Sequence, residues 1–298
     1  MKKFSLIALA LATAFGVSAQ TSVLKEAERA TKDGKDASEV VKIITPAFTN
    51  PETSGLAQTY FIPGQASFKQ YDHMLGLKQF NKLPENGEKT MGELLVQGYE
   101  YFTKALPLDT VTDAKGKVKT KYSKEMINTL SGHFADYSNA GADLYNAKDY
   151  DGAYKAWDIF CSLPEIPAVR KALEKTLPAD TIFGEIAFNQ ALAAWQGEKL
   201  DNALKAFLKA KSFGYKKKQL YDYAIAVASG LNNQEAILEL AEEALPLYGQ
   251  EDPMYMGQVV NYYLQNKQFD KAFNVINKAI ELEPNNAQYY VIKGVLFE

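Results

Sequence analysis

The chain of 298 residues is short of the residues on which most enzyme chemistry is built. It has one cysteine, Cys161, two histidines, His73 and His133, and two arginines, Arg29 and Arg170. A single thiol excludes an intramolecular disulfide. Two histidines, neither with a second ligand at a familiar spacing, offer no histidine-rich metal site and are expected at the surface or in loops. Two arginines in a chain of net charge −3 leave little for bidentate phosphate contacts, which argues against nucleic acid as a partner. There is no Gly-x-Ser-x-Gly elbow, no Gly-x-x-x-x-Gly-Lys phosphate loop and no Gly-x-Gly-x-x-Gly fingerprint. Cys161 follows Phe160 on a predicted helix with no flanking histidine, so it is expected to be a buried, inert thiol. Asp149 and Asp151 form a carboxylate pair, but turn and capping roles account for both. Together these shortages predict a protein that is not an enzyme and carries no metal or cofactor.

What is present points to a folded chain, with 47% apolar and 23% charged residues. Lys2 and Lys3 precede an almost wholly apolar stretch from Phe4 to Val17, and Val17-Ser18-Ala19 places small residues at a cleavage site before Gln20. Residues 1–19 are therefore expected to be a signal peptide. Cys161 lies far from the cut, so the exported protein is not expected to be a lipoprotein. Without Lys2 and Lys3 the chain has 31 basic and 36 acidic side chains, a net charge of −5. No later run approaches the eighteen or so apolar residues of a spanning helix. The expected location is the periplasm of a bacterial envelope, with no transmembrane segment once the signal is removed.

Internal similarity is the dominant pattern. Tyr150-Asp151-Gly152-Ala153, Leu200-Asp201-Asn202-Ala203 and Phe269-Asp270-Lys271-Ala272 share an aromatic or leucine, an aspartate and an alanine. Four residues beyond each alanine stands Trp157, Phe207 or Ile276, and three further on Phe160, Ala210 or Ala279. That spacing marks one face of a helix, with the aspartate expected as its N-cap. Twelve residues before each alanine, in a second periodic stretch, lie Gly141, Ala191 and Val260. A small or medium side chain there lets two antiparallel helices approach closely. The repeat unit is a helix pair of about 34 residues.

These residues resemble the tetratricopeptide (TPR) repeat family. Met256 to Asn286 matches its pattern through Tyr263, Phe269, Ala272, Ile276, Ala279 and Pro284. Residues 134–167, 184–217 and 218–250 match in turn, the last through Ala224, Ala236 and Leu240, with Glu243 in place of an alanine and Ala244 one position late. Residues 21–54 align with Ser38 as cap. Residues 57–110 align only if about 22 residues are inserted between the helices. Pro46 and Pro63 are expected to kink or shorten their helices. An insertion at 72–90 and a Lys-rich segment at 111–126 resemble those of exported bacterial TPR proteins. A solvated loop is expected for the lysines, with a hairpin around Lys115-Gly116.

The resemblance implies an all-α fold, a right-handed superhelical solenoid of antiparallel helix pairs. It divides the chain into N-terminal repeats with inserted loops at 20–133 and an array at 134–298. Ala287 to Glu298 begins a further first helix, an incomplete last repeat. The resemblance also implies a concave groove lined by first-helix residues. Phe61, Phe68, Ser138, Tyr145, Phe188, Trp195, Tyr221, Asn261 and Gln265 occupy groove positions here, an aromatic and amide-rich set suited to a peptide or protein partner. No lysine stands where some TPR modules clamp a terminal carboxylate. The expected function is a non-catalytic interaction scaffold. Two alternatives stay open: the sensory or targeting arm of a longer enzyme or receptor, and a glycan- or small-molecule-binding helical protein.

Overall fold

The computed structural model describes residues 22–112, 115, 116, 118–282 and 284–295; the expected signal peptide lies outside them. The described residues form an all-α protein, an array in which helices pack mainly on their sequence neighbours. The chain divides into two compact units, one ending at Pro178 and the other starting at Ala179.

In the first unit, α1 spans 22–32 and α2 Ala37–Ile44, followed by α3 Ala57–Gln79 and α4 Gly87–Ala105. Next come α5 Ser123–Gly132, α6 Asp136–Asn146, α7 Tyr150–Ser162 and the short α8 Pro167–Leu173. The long pair α3–α4 and the pair α6–α7 are its main hairpins, with α4 also against α6 and α7, and α5 against α8. Leu95, Phe102, Met126, Leu130, Tyr137 and Leu144 form the core. The second unit repeats one motif as α9 Asp180–Gln196 with α10 Leu200–Ser212, α11 Lys218–Gly230 with α12 Gln234–Tyr248, and α13 Met254–Gln265 with α14 Phe269–Leu282. A last helix, α15, spans Ala287–Val295 and packs on α14.

The expected helix faces are inside. Ala153, Trp157 and Phe160 are buried on α7, Ala203, Phe207 and Ala210 on α10, and Ala272, Ile276 and Ala279 on α14. Gly141 is needed for close approach, because a Cβ there would overlap the Trp157 indole at Nε1. The caps fall two residues earlier than expected. Asp149 rather than Asp151 caps α7, its carboxylate accepting from the Gly152 N–H at 3.0 Å. Lys199 precedes α10 and Gln268 precedes α14, so Asp201 and Asp270 sit in the first turn, where a negative charge favours the helix dipole. Asp36, not Ser38, holds the cap position of α2. In α12 the cap is Asn233, which places Ile237, Ala241 and Ala244 on the buried face and leaves Ala236 only half-buried. The alanine that looked one place late is in register, and Ala236 is not.

The two prolines act differently. Pro46 ends α2 as expected, and the chain continues as a 3-10 turn, Thr45–Phe48. Pro63 does not shorten α3, which runs 23 residues with the ring buried inside it. Packing along the whole of α4 outweighs the roughly 3 kcal/mol that an interior proline costs. The insertion at 72–90 is mostly helix: it extends α3 to Gln79 and opens α4 at Gly87, leaving a short connection with Asn81 and Asn86 in left-handed conformation. The segment 111–126 contains the expected hairpin, in which β1 (Val111–Thr112) pairs antiparallel with β2 (Val118–Lys119) and Gly116 adopts φ +75°. Asp109 closes it. Its buried carboxylate accepts from the N–H groups of Lys121, Tyr122 and Ser123 at 3.0, 2.7 and 2.6 Å and from the Ser123 hydroxyl at 2.7 Å. Burial alone would raise the Asp109 pKa, but these hydrogen bonds prevail and hold it below the usual value.

Candidate functional site

The residues expected to line a groove divide between interior and surface. In the first unit, Phe61 and Phe68 are 6% and 3% exposed and meet at Phe102, with ring centroids 5.7 and 5.0 Å away. Phe61 also stacks on Tyr122, and Phe68 on His133. Tyr145 is half-buried against Tyr150 and Trp157, and Ser138, also half-buried, accepts the Trp157 indole N–H through its carbonyl at 3.1 Å. In the second unit, Tyr221 is fully buried and donates to Glu243 at 3.0 Å. Burial and this carboxylate raise the Tyr221 pKa. Burial would raise that of Glu243 as well, but Lys211 at 2.8 Å and the tyrosine hydroxyl lower it. Asn261 and Gln265 are exposed on α13.

Phe188 and Trp195, one on each side of the buried Ala191, come together on α9. Both approach Phe207 and Tyr223. Phe188 is a buried ring between two half-exposed ones: Tyr215 lies 4.9 Å and 26° from it, Tyr223 6.2 Å and 17°. Half-buried Trp195 closes the row, 5.4 Å from Tyr223. The result is an aromatic ledge whose accessible rings are Tyr215, Tyr223 and Trp195. Beside it lies the ion pair Lys217–Glu185 at 3.6 Å, with the Lys217 ammonium 5.0 Å from the Tyr215 ring centre; Lys216 and Asp222, next to Tyr215 and Tyr223, pair with Glu243 and Lys218.

Tyr215 and Tyr223 were not among the expected groove residues. Tyr223 stands two residues from Tyr221, hence on nearly the opposite helix face. The exposed Gln219, one turn before Tyr223, is the sequence signal that marks that face as the open one.

His133 lies in the turn between α5 and α6, as expected of a loop histidine, but its side chain is only 15% exposed. At the end of α5 its ring stacks on Phe68 and meets the edge of Tyr71. Its Nδ1 lies 2.9 Å from Asp136 and its Nε2 3.5 Å from Asp72. Burial first, and then the Asp136 carboxylate, raise the Tyr71 pKa. Two cavities flank this cluster along α3. Cys161 is buried, as expected for a packing residue, and His73 is exposed. Among the described residues, no group of three His, Cys, Asp or Glu side chains is placed to hold a metal ion, and no helix is long and apolar enough to cross a membrane.

Compared with known proteins, the chain matches no family model and no curated protein.

Proposed function

We propose that the chain is a TPR-like interaction scaffold of the bacterial envelope, non-catalytic, which binds a polypeptide on the open face of its first helices. The observation that carries this reading is the ledge of Tyr215, Tyr223 and Trp195. Three large, partly exposed rings lie against the buried Phe188 and Phe207, with the ion pair Lys217–Glu185 beside Tyr215. Rigid aromatic rings give contact area at low entropic cost, which is how protein-recognition surfaces concentrate binding energy. The repeated helix pairs supply the scaffold, and the apolar segment behind Lys2 and Lys3 supports export.

The test is affinity capture from envelope extract with the wild-type chain and a Tyr215→Ala/Tyr223→Ala/Trp195→Ala variant. Phe188 and Tyr221 are left intact because both are buried. We expect the variant to lose most of the recovered partner while keeping its helical circular dichroism. Equal recovery by both proteins removes the ledge as the binding surface.

A further inference from the structure

In the second unit, the seams between successive second helices are built from different residues at the same repeat positions. Between α10 and α12 a polar cluster closes the seam. The Lys211 ammonium lies 2.8 Å from both Glu239 and Glu243, and Glu243 also accepts from the Tyr221 hydroxyl at 3.0 Å. Lys199, Asn233 and Gln268 precede the three second helices and set the register. In that register the next seam carries Leu245 for Lys211, Asn274 for Glu239, Lys278 for Glu243 and Met256 for Tyr221. Every member of the cluster is exchanged. Between α12 and α14 the structure instead holds a cavity of about 380 Å³, and Leu245, Met256 and Lys278 all line it. Met256, Val259 and Ala279 are its buried floor, and Leu245, Pro246 and Val275 are its more accessible walls. The polar lining residues, Glu242, Gln250 and Lys278, are all exposed at the rim. Glu242 already accepts from the Tyr263 hydroxyl at 2.5 Å, whereas Lys278 pairs with no carboxylate among the described residues.

We infer that this cavity binds a single-chain amphiphilic carboxylate of the fatty-acid type, its tail between α12 and α14 and its head on Lys278. The apolar floor and walls select the tail. The unpaired ammonium, at the position where the preceding seam has a carboxylate, selects the sign of the head. The volume lies at the lower end of the roughly 300–1,000 Å³ of small-molecule sites, which suits one short chain rather than a two-chain lipid. This inference goes beyond the polypeptide-binding proposal, since it uses the second helices and none of the ledge rings.

The experiment is isothermal titration calorimetry of the full chain with octanoate, decanoate and 1-decanol, each below its micelle or solubility limit. We expect one saturable site that binds decanoate about fifteen-fold more tightly than octanoate, the gain from burying two more methylenes. Lys278→Gln should weaken decanoate roughly two- to five-fold, as for an exposed ion pair, and leave 1-decanol unchanged. Val275→Phe, which fills the cavity, should abolish binding of both while circular dichroism stays that of wild type. Absence of saturable decanoate binding to wild type overturns the inference. So does an unchanged decanoate affinity in Lys278→Gln, an exposed position whose test holds even if Val275→Phe unfolds, or in a Val275→Phe chain that folds normally. Capture of the chain on phosphatidylglycerol vesicles, if lost in Val275→Phe, would assign the cavity to a membrane lipid and overturn it too. The Tyr215→Ala/Tyr223→Ala/Trp195→Ala variant should bind decanoate normally, so this site and the ledge stand or fall separately.

Discussion

At the scale of single residues, the tightest constraint is a glycine facing an indole. Trp157 cannot retreat easily from Gly141, because its Nε1 donates to the Ser138 carbonyl and Tyr145 lies alongside. Gly141→Ala is expected to lower stability by about 1–3 kcal/mol through overpacking, despite the helix propensity of alanine. Gly257 on α13 is the control, since a Cβ there meets nothing within 4 Å. Gly257→Ala should gain up to about 1 kcal/mol. Urea unfolding followed by the two tryptophans separates these effects: Trp157 emission in a Trp195→Phe background reports the first unit, and Trp195 emission in a Trp157→Phe background the second. A Gly141→Ala chain as stable as wild type would refute the close approach. The importance of Gly141 was legible from its place in the repeat. The burial of Phe61, Phe68 and Phe188 was not, because the rings that cover them come from other helices.

At the scale of elements, the turn between paired helices repeats its geometry. Lys148, Glu198, Asn232 and Lys267 all have φ between 54° and 61°, and each stands just before the cap residue. In each turn the next N–H reaches back five residues: Asp149 to Leu144, Lys199 to Ala194, Asn233 to Ala228 and Gln268 to Tyr263, all at 2.7–2.9 Å. This is the helix-ending arrangement that normally recruits glycine. Only Asn232 is a residue that adopts the left-handed region readily. Lys148→Gly, Glu198→Gly and Lys267→Gly are each expected to raise stability by roughly 0.5–1 kcal/mol, and Asn232→Gly by less. Denaturation midpoints of the four variants check this ranking, and lowered midpoints for the lysine and glutamate variants would contradict it. Sequence periodicity located these turns. It misplaced the caps by two residues in α7 and α10, because an aspartate in the first turn has the same electrostatic preference as one at the cap.

At the scale of the whole molecule, the chain breaks into two compact units at a stretch where 174–176 and Ala179 are exposed. Domain boundaries lie where few contacts cross and the backbone is accessible. Limited digestion with a lysine-specific protease is therefore expected to cut first after Lys175, giving two fragments that resist further cleavage. Mass spectrometry of early time points identifies the site. First cuts inside α9–α10 or α3–α4 would show that the units are not the cooperative blocks of the fold.

The amino-acid sequence determined what depends on neighbours along the chain. Apolar residues at i, i+4 and i+7 specified which helices form, and small residues at Gly141 and Ala191 specified where partners cross. The turn chemistry of Lys115-Gly116 specified a hairpin. Tertiary structure decided what depends on which surfaces meet. It shifted the buried face of α12 to Ile237, Ala241 and Ala244, carried α3 through Pro63, and buried Tyr221 while leaving Tyr223 half-exposed. It also placed His133 between Asp72 and Asp136. Helical periodicity fixes a stripe of side chains, but only the neighbouring helix determines which part of that stripe water still reaches.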